Sequence, residues 1–363
     1  MSLFGEDGAI KPPVTMKDVA NRAGVSIATV SNVLSGEKPV RAKSREQVLA
    51  AVKALNYRIN PAASYLRSGR SKIVAAVVPT LDNPFFPTIL AAVEAGCQKD
   101  GYELIVASSA NQPEVEEARI RALMHWKPAG FIVIPCSGEL PARKQIEASK
   151  IPLVFADRAP DGEPGDFVEI DNVTAGASAA RHLTQLGHRH ITVCTPSLSV
   201  RNLRERIQGV AQVLAEFGTE PVVVETGLGG VPEALPGEAE AQIGRASAIV
   251  ALMNTTTLQV LAALNRAGRS VPHDVSLIGF DDYSWMPVAR PSITAIRQPV
   301  DLIGRLAWSQ LLERINGASG APVHRRLPVE LVLRESTTSP SAERETPVLP
   351  TEGAAVLSLA TRR

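Results

Sequence analysis

The chain has 363 residues, 45% hydrophobic and 21% charged, with 38 Lys or Arg against 37 Asp or Glu and a formal net charge of +1. That length and apolar content predict two or three globular units and exclude a disordered chain. No apolar run approaches the roughly 18 residues of a membrane span, and residues 1–13 lack the basic start and apolar core of a signal peptide. A cytoplasmic protein with no membrane partner is expected. Cys97, Cys136 and Cys194 are odd in number and widely spaced, which predicts reduced core thiols rather than a disulfide framework. The six His residues show no metal-ligand spacing, and His188 and His190 suit the capping of a helix end. Neither a metal nor another cofactor is expected.

Residues 1–13 read as a flexible N-terminal extension, and residues 14–59 as a small all-α headpiece. Thr15 is a good N-cap, Val19, Ala20 and Ala23 give a short helix one apolar face, and Gly24 breaks it. Ser26 caps a second helix in which Val25, Val30, Val33 and Leu34 pack inward. Ile27, Ala28, Thr29, Ser31 and Asn32 are left to face a partner. A third helix over 41–55 closes the core with Val48, Ala51, Val52 and Leu55. Spacing alone fits any small helical hairpin as well as a helix-turn-helix, so charge decides. Residues 14–72 carry 11 Lys or Arg and 3 Asp or Glu, a local charge of +8, which predicts a polyphosphate partner.

Ala23-Gly24-Val25-Ser26, Ala28-Thr29-Val30-Ser31, Val40, Ser44-Arg45, Val48 and Leu55-Asn56-Tyr57 resemble the headpiece of the lactose-repressor (LacI/GalR) family of bacterial transcription regulators. The resemblance extends to about Ser336. It implies that the second helix lies in the major groove of operator DNA, with Thr15, Ser31 and Arg41 on phosphates. Ile27 and Ala28 then offer apolar contact to bases, and Asn32 suits bidentate pairing with adenine. Asn32 departs from the Arg held there by many relatives.

Residues 60–72 form a hinge segment. Pro61 suits a helix's first turn and Gly69 ends it, but so short a helix orders only when docked. The resemblance implies that two copies pair over the operator centre and that Asn60, Ala63, Leu66 and Arg67 contact DNA there. Leu66 matches the leucine that the family inserts between base pairs. A homodimer on a near-palindromic operator follows.

From residue 73 to 336, strand-like runs at 73–78, 104–107, 131–134, 153–156, 191–194, 222–224, 249–252 and 275–280 alternate with amphipathic helices. This predicts an α/β domain of two doubly wound parallel-sheet lobes, and the resemblance makes it periplasmic-binding-protein-like. The first lobe is expected over about 73–171 and 299–327, the second over about 172–298 and 328–336. Crossings fall near Asp171, Gln298 and Leu327. Residues 337–363, rich in Ser, Thr, Pro and Glu and without leucine heptads, read as a flexible tail, which favours a dimer.

Ligands of such folds sit at the strands' carboxyl ends. There the chain places carboxylates, guanidinium groups, amides and two aromatic rings, a set that suits a polyhydroxylated ligand. Asn83, Phe85, Phe86, Asp157, Arg158, Arg206, Asn254, Asp281 and Gln298 resemble the positions at which bacterial ribose-binding proteins hold their pentose. Trp285 adds a second aromatic wall or packs at the lobe edge. A repressor of carbohydrate-utilisation genes, controlled by a ribose-like pentose, is the leading expectation. A nucleoside, a phosphorylated sugar or a protein corepressor is the alternative. Thr255 stands where relatives have Asp, and residues 227–244 match the family poorly. No nucleophile elbow, phosphate loop or metal cluster is present in the sequence, so no enzyme is expected.

Overall fold

In a computed structural model of the chain, which describes residues 14–35, 39–57, 71–162, 164–228 and 235–340, the first helix begins with a capping box. The Thr15 hydroxyl accepts from the Asp18 backbone N–H at 3.3 Å, and the Asp18 carboxylate accepts from the Thr15 N–H at 2.8 Å. Helix α1 (Met16–Ala23) ends at Gly24, whose φ of 66° lies in the left-handed region that glycine occupies without strain. Helices α2 (Ile27–Ser35) and α3 (Ala42–Leu55) follow. Ser26 caps α2 by accepting from the Thr29 N–H at 3.1 Å. Met16, Val19, Ala20, Ala23, Val30, Val33, Val48 and Ala51 form a common core. This three-helix headpiece belongs to the first of two compact units, which divide after Ser71.

The second unit holds two six-stranded sheets. Strands β1 (Ile73–Val78), β2 (Glu103–Ser108), β3 (Gly130–Val133), β4 (Leu153–Ala156), β5 (Asp166–Ile170) and β11 (His324–Leu327) make the first, in the order β11-β5-β4-β3-β1-β2. Strands β6 (Thr192–Thr195), β7 (Val222–Glu225), β8 (Ala248–Ala251), β9 (Ser276–Phe280), β10 (Thr294–Arg297) and β12 (Glu330–Val332) make the second, in the order β12-β10-β9-β8-β6-β7. All pairings are parallel except β10 with β12. Strand β1 reads as a continuous apolar run because both faces are covered. Its buried Val residues each contribute roughly 1.5–3 kcal/mol.

Helices α4 (Phe85–Lys99), α5 (Pro113–Met124) and α6 (Arg143–Ala148) accompany the first sheet. Helices α7 (Asn172–Gln185), α8 (Arg201–Ala215), α9 (Gly237–Arg245) and α10 (Asn254–Arg266) accompany the second. Helix α11 (Val300–Ile315) returns to the first lobe, where the Trp308 indole N–H donates to Asp100 at 2.8 Å and Gly304 fits against the Ile89 carbonyl. The chain therefore passes between the sheets after β5, after β10 and between β11 and β12.

Two sequence expectations meet a different structure. Strands β5, β10, β11 and β12 were not expected. Residues 337 and 338, assigned to the loose tail, are hydrogen-bonded to the second lobe. Thr338 donates its N–H to the Ser276 hydroxyl at 2.9 Å and accepts at its carbonyl from that hydroxyl, while Thr337 meets His182 at 2.9 Å. The His188 ring, buried beneath them, lies 2.9 Å from the Thr338 carbonyl. The hinge residues Asn60, Ala63, Leu66 and Arg67, the N-terminal extension and residues 341–363 lie outside the described residues. Cys97, Cys136 and Cys194 are free and buried.

Candidate functional site

On the headpiece, Ser26, Ile27 and Ala28 stand exposed on the first turn of α2, with Ile27 46% accessible. Thr29, Ser31 and Asn32 are half-buried behind them. Thr15 and Arg41 are exposed at the N-termini of α1 and α3.

In the second unit, the residues that follow the strand ends converge between the lobes. Asn83, which follows β1, accepts at Oδ1 from the Phe85 N–H at 3.1 Å and from the Asn254 amide at 2.9 Å. Asn254 belongs to the second lobe, so this bond crosses the crevice. The Asn254 amide and backbone N–H both donate to Asp281 Oδ2 at 3.1 Å, and the Gln298 amide donates to Asp281 Oδ1 at 2.6 Å. Arg206, which is 2% exposed, donates from Nε to Asn172 at 3.0 Å and from Nη1 to the Leu252 carbonyl at 2.7 Å. Its guanidinium lies 4.4 Å from the centre of the Phe280 ring.

Asp157 and Arg158 follow β4. Arg158 Nε lies 3.5 Å from Asp157 Oδ2, its Nη1 donates to the Pro135 carbonyl at 3.4 Å, and its guanidinium lies 5.1 Å from the Phe86 ring centre. Phe85 and Phe86 meet edge to face at 5.5 Å. Asp157 and Asp281 hold φ values of 60° and 78° at the strand ends. Left-handed backbone in non-glycine residues costs on the order of 1–3 kcal/mol and clusters at functional sites.

The electrostatics bind this cluster together. Burial pushes the Asp157 carboxyl up to about 6, against the pull of Arg158 and then Arg206. Burial also lowers Arg158 and Arg206, opposed by Asp157 and Asp281. All nine residues that resemble the pentose-binding set are buried, and three of their polar atoms lack a hydrogen-bond partner: Asp157 Oδ1, Arg158 Nε and Gln298 Oε1. Buried polar atoms are rarely left unpaired. An open depression of about 510 Å³ bordered by Phe167, Arg201 and His324 shares none of these residues.

Trp285 is half-buried and packs against the second lobe's apolar cluster around Met286 and Ile293. Two further participants, and one buried neighbour, escaped the sequence reading. Asn172 and Phe280 hold Arg206, and Glu116, wholly buried in α5, accepts from the Cys136 N–H at 2.8 Å. Asn172 follows a strand that was itself missed, and Glu116 sits in a Glu-rich turn that reads as a solvated face. Among the described residues, no group of His, Cys, Asp or Glu could hold a metal ion.

Residues 15–60 match the family described as bacterial regulatory proteins, lacI family, and residues 180–337 match the periplasmic binding protein-like domain. The HTH-type transcriptional regulator PtxS of Pseudomonas putida is 33% identical over 331 residues, which cover 89% of this chain and 96% of that protein. The ribose operon repressor of Haemophilus influenzae is 31% identical over 90% of this chain and 99% of its own. The lac repressor dimer bound to operator and the anti-inducer ONPF superposes with a TM-score of 0.77 at 26% identity, covering 90% of this chain and 100% of that one. Identity sustained from the reading helix through both lobes settles the family: the chain belongs to the LacI family of bacterial regulatory proteins.

Proposed function

We propose that this protein is a dimeric transcriptional repressor of carbohydrate-utilisation genes whose operator affinity is set by a sugar, with a ribose-like pentose as the first candidate, held between the lobes. The observation that carries this reading is the set of unpaired buried atoms Asp157 Oδ1, Arg158 Nε and Gln298 Oε1 beside the rings of Phe85 and Phe86. Two acceptors and one donor suit a ligand that carries several hydroxyls, and the rings suit the C–H face of a sugar. The similarity to a ribose operon repressor supports a pentose.

In this reading, Ser26, Ile27, Ala28, Thr29 and Asn32 meet base edges while Thr15, Ser31 and Arg41 hold phosphates. Leu66 wedges the operator centre with Asn60, Ala63 and Arg67 beside it. Sugar stabilises the closed lobes, and the hinge segments of the dimer separate as a result. By linkage, the sugar binds the operator complex more weakly than it binds free protein, by the factor through which it weakens operator binding.

A thermal-shift screen against pentoses, hexoses, nucleosides and sugar phosphates tests the ligand. D-ribose at 100 times its dissociation constant is expected to add about 2.7 kcal/mol of stability. A shift with a nucleoside or a sugar phosphate, and none with any free sugar, would replace the pentose.

A further inference from the structure

Glu116 is buried, carries a charge-bearing group, and has no part in the reading above. It lies in the first turn of α5, which its acidic neighbour Glu114 shares at the surface. Its Oε2 accepts from the Cys136 N–H at 2.8 Å, and its Oε1 has no hydrogen-bond partner. The carbonyl of the same peptide group, that of Pro135, accepts from Arg158 Nη1 at 3.4 Å. One turn after β3 is thus gripped from two sides, by a carboxylate on its N–H and by a guanidinium on its C=O. Arg158 has one anchor in a protein carbonyl, through Nη1, while its Nε lies 3.5 Å from Asp157 Oδ2 and makes no hydrogen bond.

We propose that Glu116 is a positioning residue for the ligand crevice: it holds the Pro135–Cys136 turn and, through that turn, sets where the Arg158 guanidinium stands. The proposal rests on the crevice reading above, but its first test does not require a ligand. Displacement of the turn would move the Pro135 carbonyl, which anchors Arg158 Nη1.

The same geometry makes the arrangement sensitive to protons. Burial pushes Glu116 from 4.5 up to about 7, against the pull of the Cys136 N–H, then of the Cys136 thiol, and then of Arg158. The charged or titratable groups that face it from neighbouring elements are Arg158 and the Cys136 thiol, and the thiol, pushed up to about 12, stays neutral throughout this range. Arg158 in turn faces Asp157, Asp281 and Glu116. Since the folded carboxyl holds its proton more tightly than the unfolded one, its contribution to stability is complete below about 4.5 and is lost as pH rises to about 7.

Arginine-selective ¹⁵N labelling of the full chain gives the test, with the Arg158 Nε–H resonance assigned by its loss in Arg158→Lys. Between pH 5 and about 8.5 that resonance is expected to shift in two steps, near 6 with Asp157 and near 7 with Glu116. In Glu116→Gln, which keeps an acceptor for the Cys136 N–H, only the step near 6 should remain. Glu116→Ala should displace the resonance at every pH and weaken D-ribose binding about tenfold, a loss of about 1.4 kcal/mol, with Gln restoring most of it at pH 5.5. A step near 7 that survives in Glu116→Gln, or an Arg158 resonance unmoved in folded Glu116→Ala, would overturn the proposal. Failure of D-ribose to bind the unaltered protein would count against the sugar reading alone, because the arginine titration needs no sugar.

Discussion

Arg206→Ala is expected to abolish the response to sugar and to lower the melting temperature by on the order of 10 °C. Arg206 is among the largest fully buried side chains, and its removal strands the Asn172 amide oxygen and the Leu252 carbonyl without a donor. Asp281 and Asp157 lose a counter-charge in a site already costly to ionise. Breaking a buried charge arrangement from one side costs about 3–5 kcal/mol, far more than the arrangement itself contributes. Arg206→Lys separates charge from geometry, since an ammonium cannot reproduce the two directed bonds. It should recover part of the melting temperature and little of the sugar response. Thermal melts with and without D-ribose measure both, and an unaltered ribose shift in Arg206→Ala would remove Arg206 from the crevice.

Gly176→Ala is expected to destabilise the second unit by about 3 kcal/mol or more, at the upper end for overpacking a core. A Cβ built on Gly176 falls 1.9 Å from the Arg206 carbonyl oxygen, and one on Gly209 falls 1.9 Å from the Val173 carbonyl oxygen. Helices α7 and α8 therefore cross at two glycines, backbone against backbone, and no flexible side chain is there to yield. Forcing the helices apart also shifts the segment that carries Arg206. Gly176→Ala should consequently weaken sugar binding without touching the sugar. Urea unfolding curves give the stability change, and a cost below about 1 kcal/mol would mean that the crossing relaxes more easily than its geometry indicates.

Most of this architecture was legible because buried parallel strands such as Ile73–Val78 read as unbroken apolar runs. Four strands were illegible, and not all for one reason. Asp166–Ile170 is wholly buried yet carries Asp166 and Glu169, which are acceptable inside only because Arg314, 148 residues away, and Arg201 with His324 meet them. His324–Leu327 reads as a basic surface segment until it is seen beside β5. Glu330–Val332 and Thr294–Arg297 are short and interrupted by polar residues, so no unbroken apolar run marks them. The candidate site was legible wherever it lay immediately past a readable strand, as at Asp157, Asn254 and Asp281. Residues whose burial depends on distant partners were not, which is why Glu116 and Asn172 were missed. Thr337 and Thr338 were missed likewise, because polar residues at the start of a polar tail give no sign of the hydroxyl and imidazole that receive them.

Control of DNA binding by a sugar in the crevice is the central claim, and operator release measures it most directly. Sites selected by the purified protein from random duplex DNA would be labelled and titrated at one fixed salt concentration, since such affinities shift steeply with ionic strength. The selected sites should be near-palindromic, and saturating D-ribose should weaken binding at least tenfold in the unaltered protein and leave Arg206→Lys unmoved. Operator affinity that stays constant while D-ribose fills the crevice would contradict the claim.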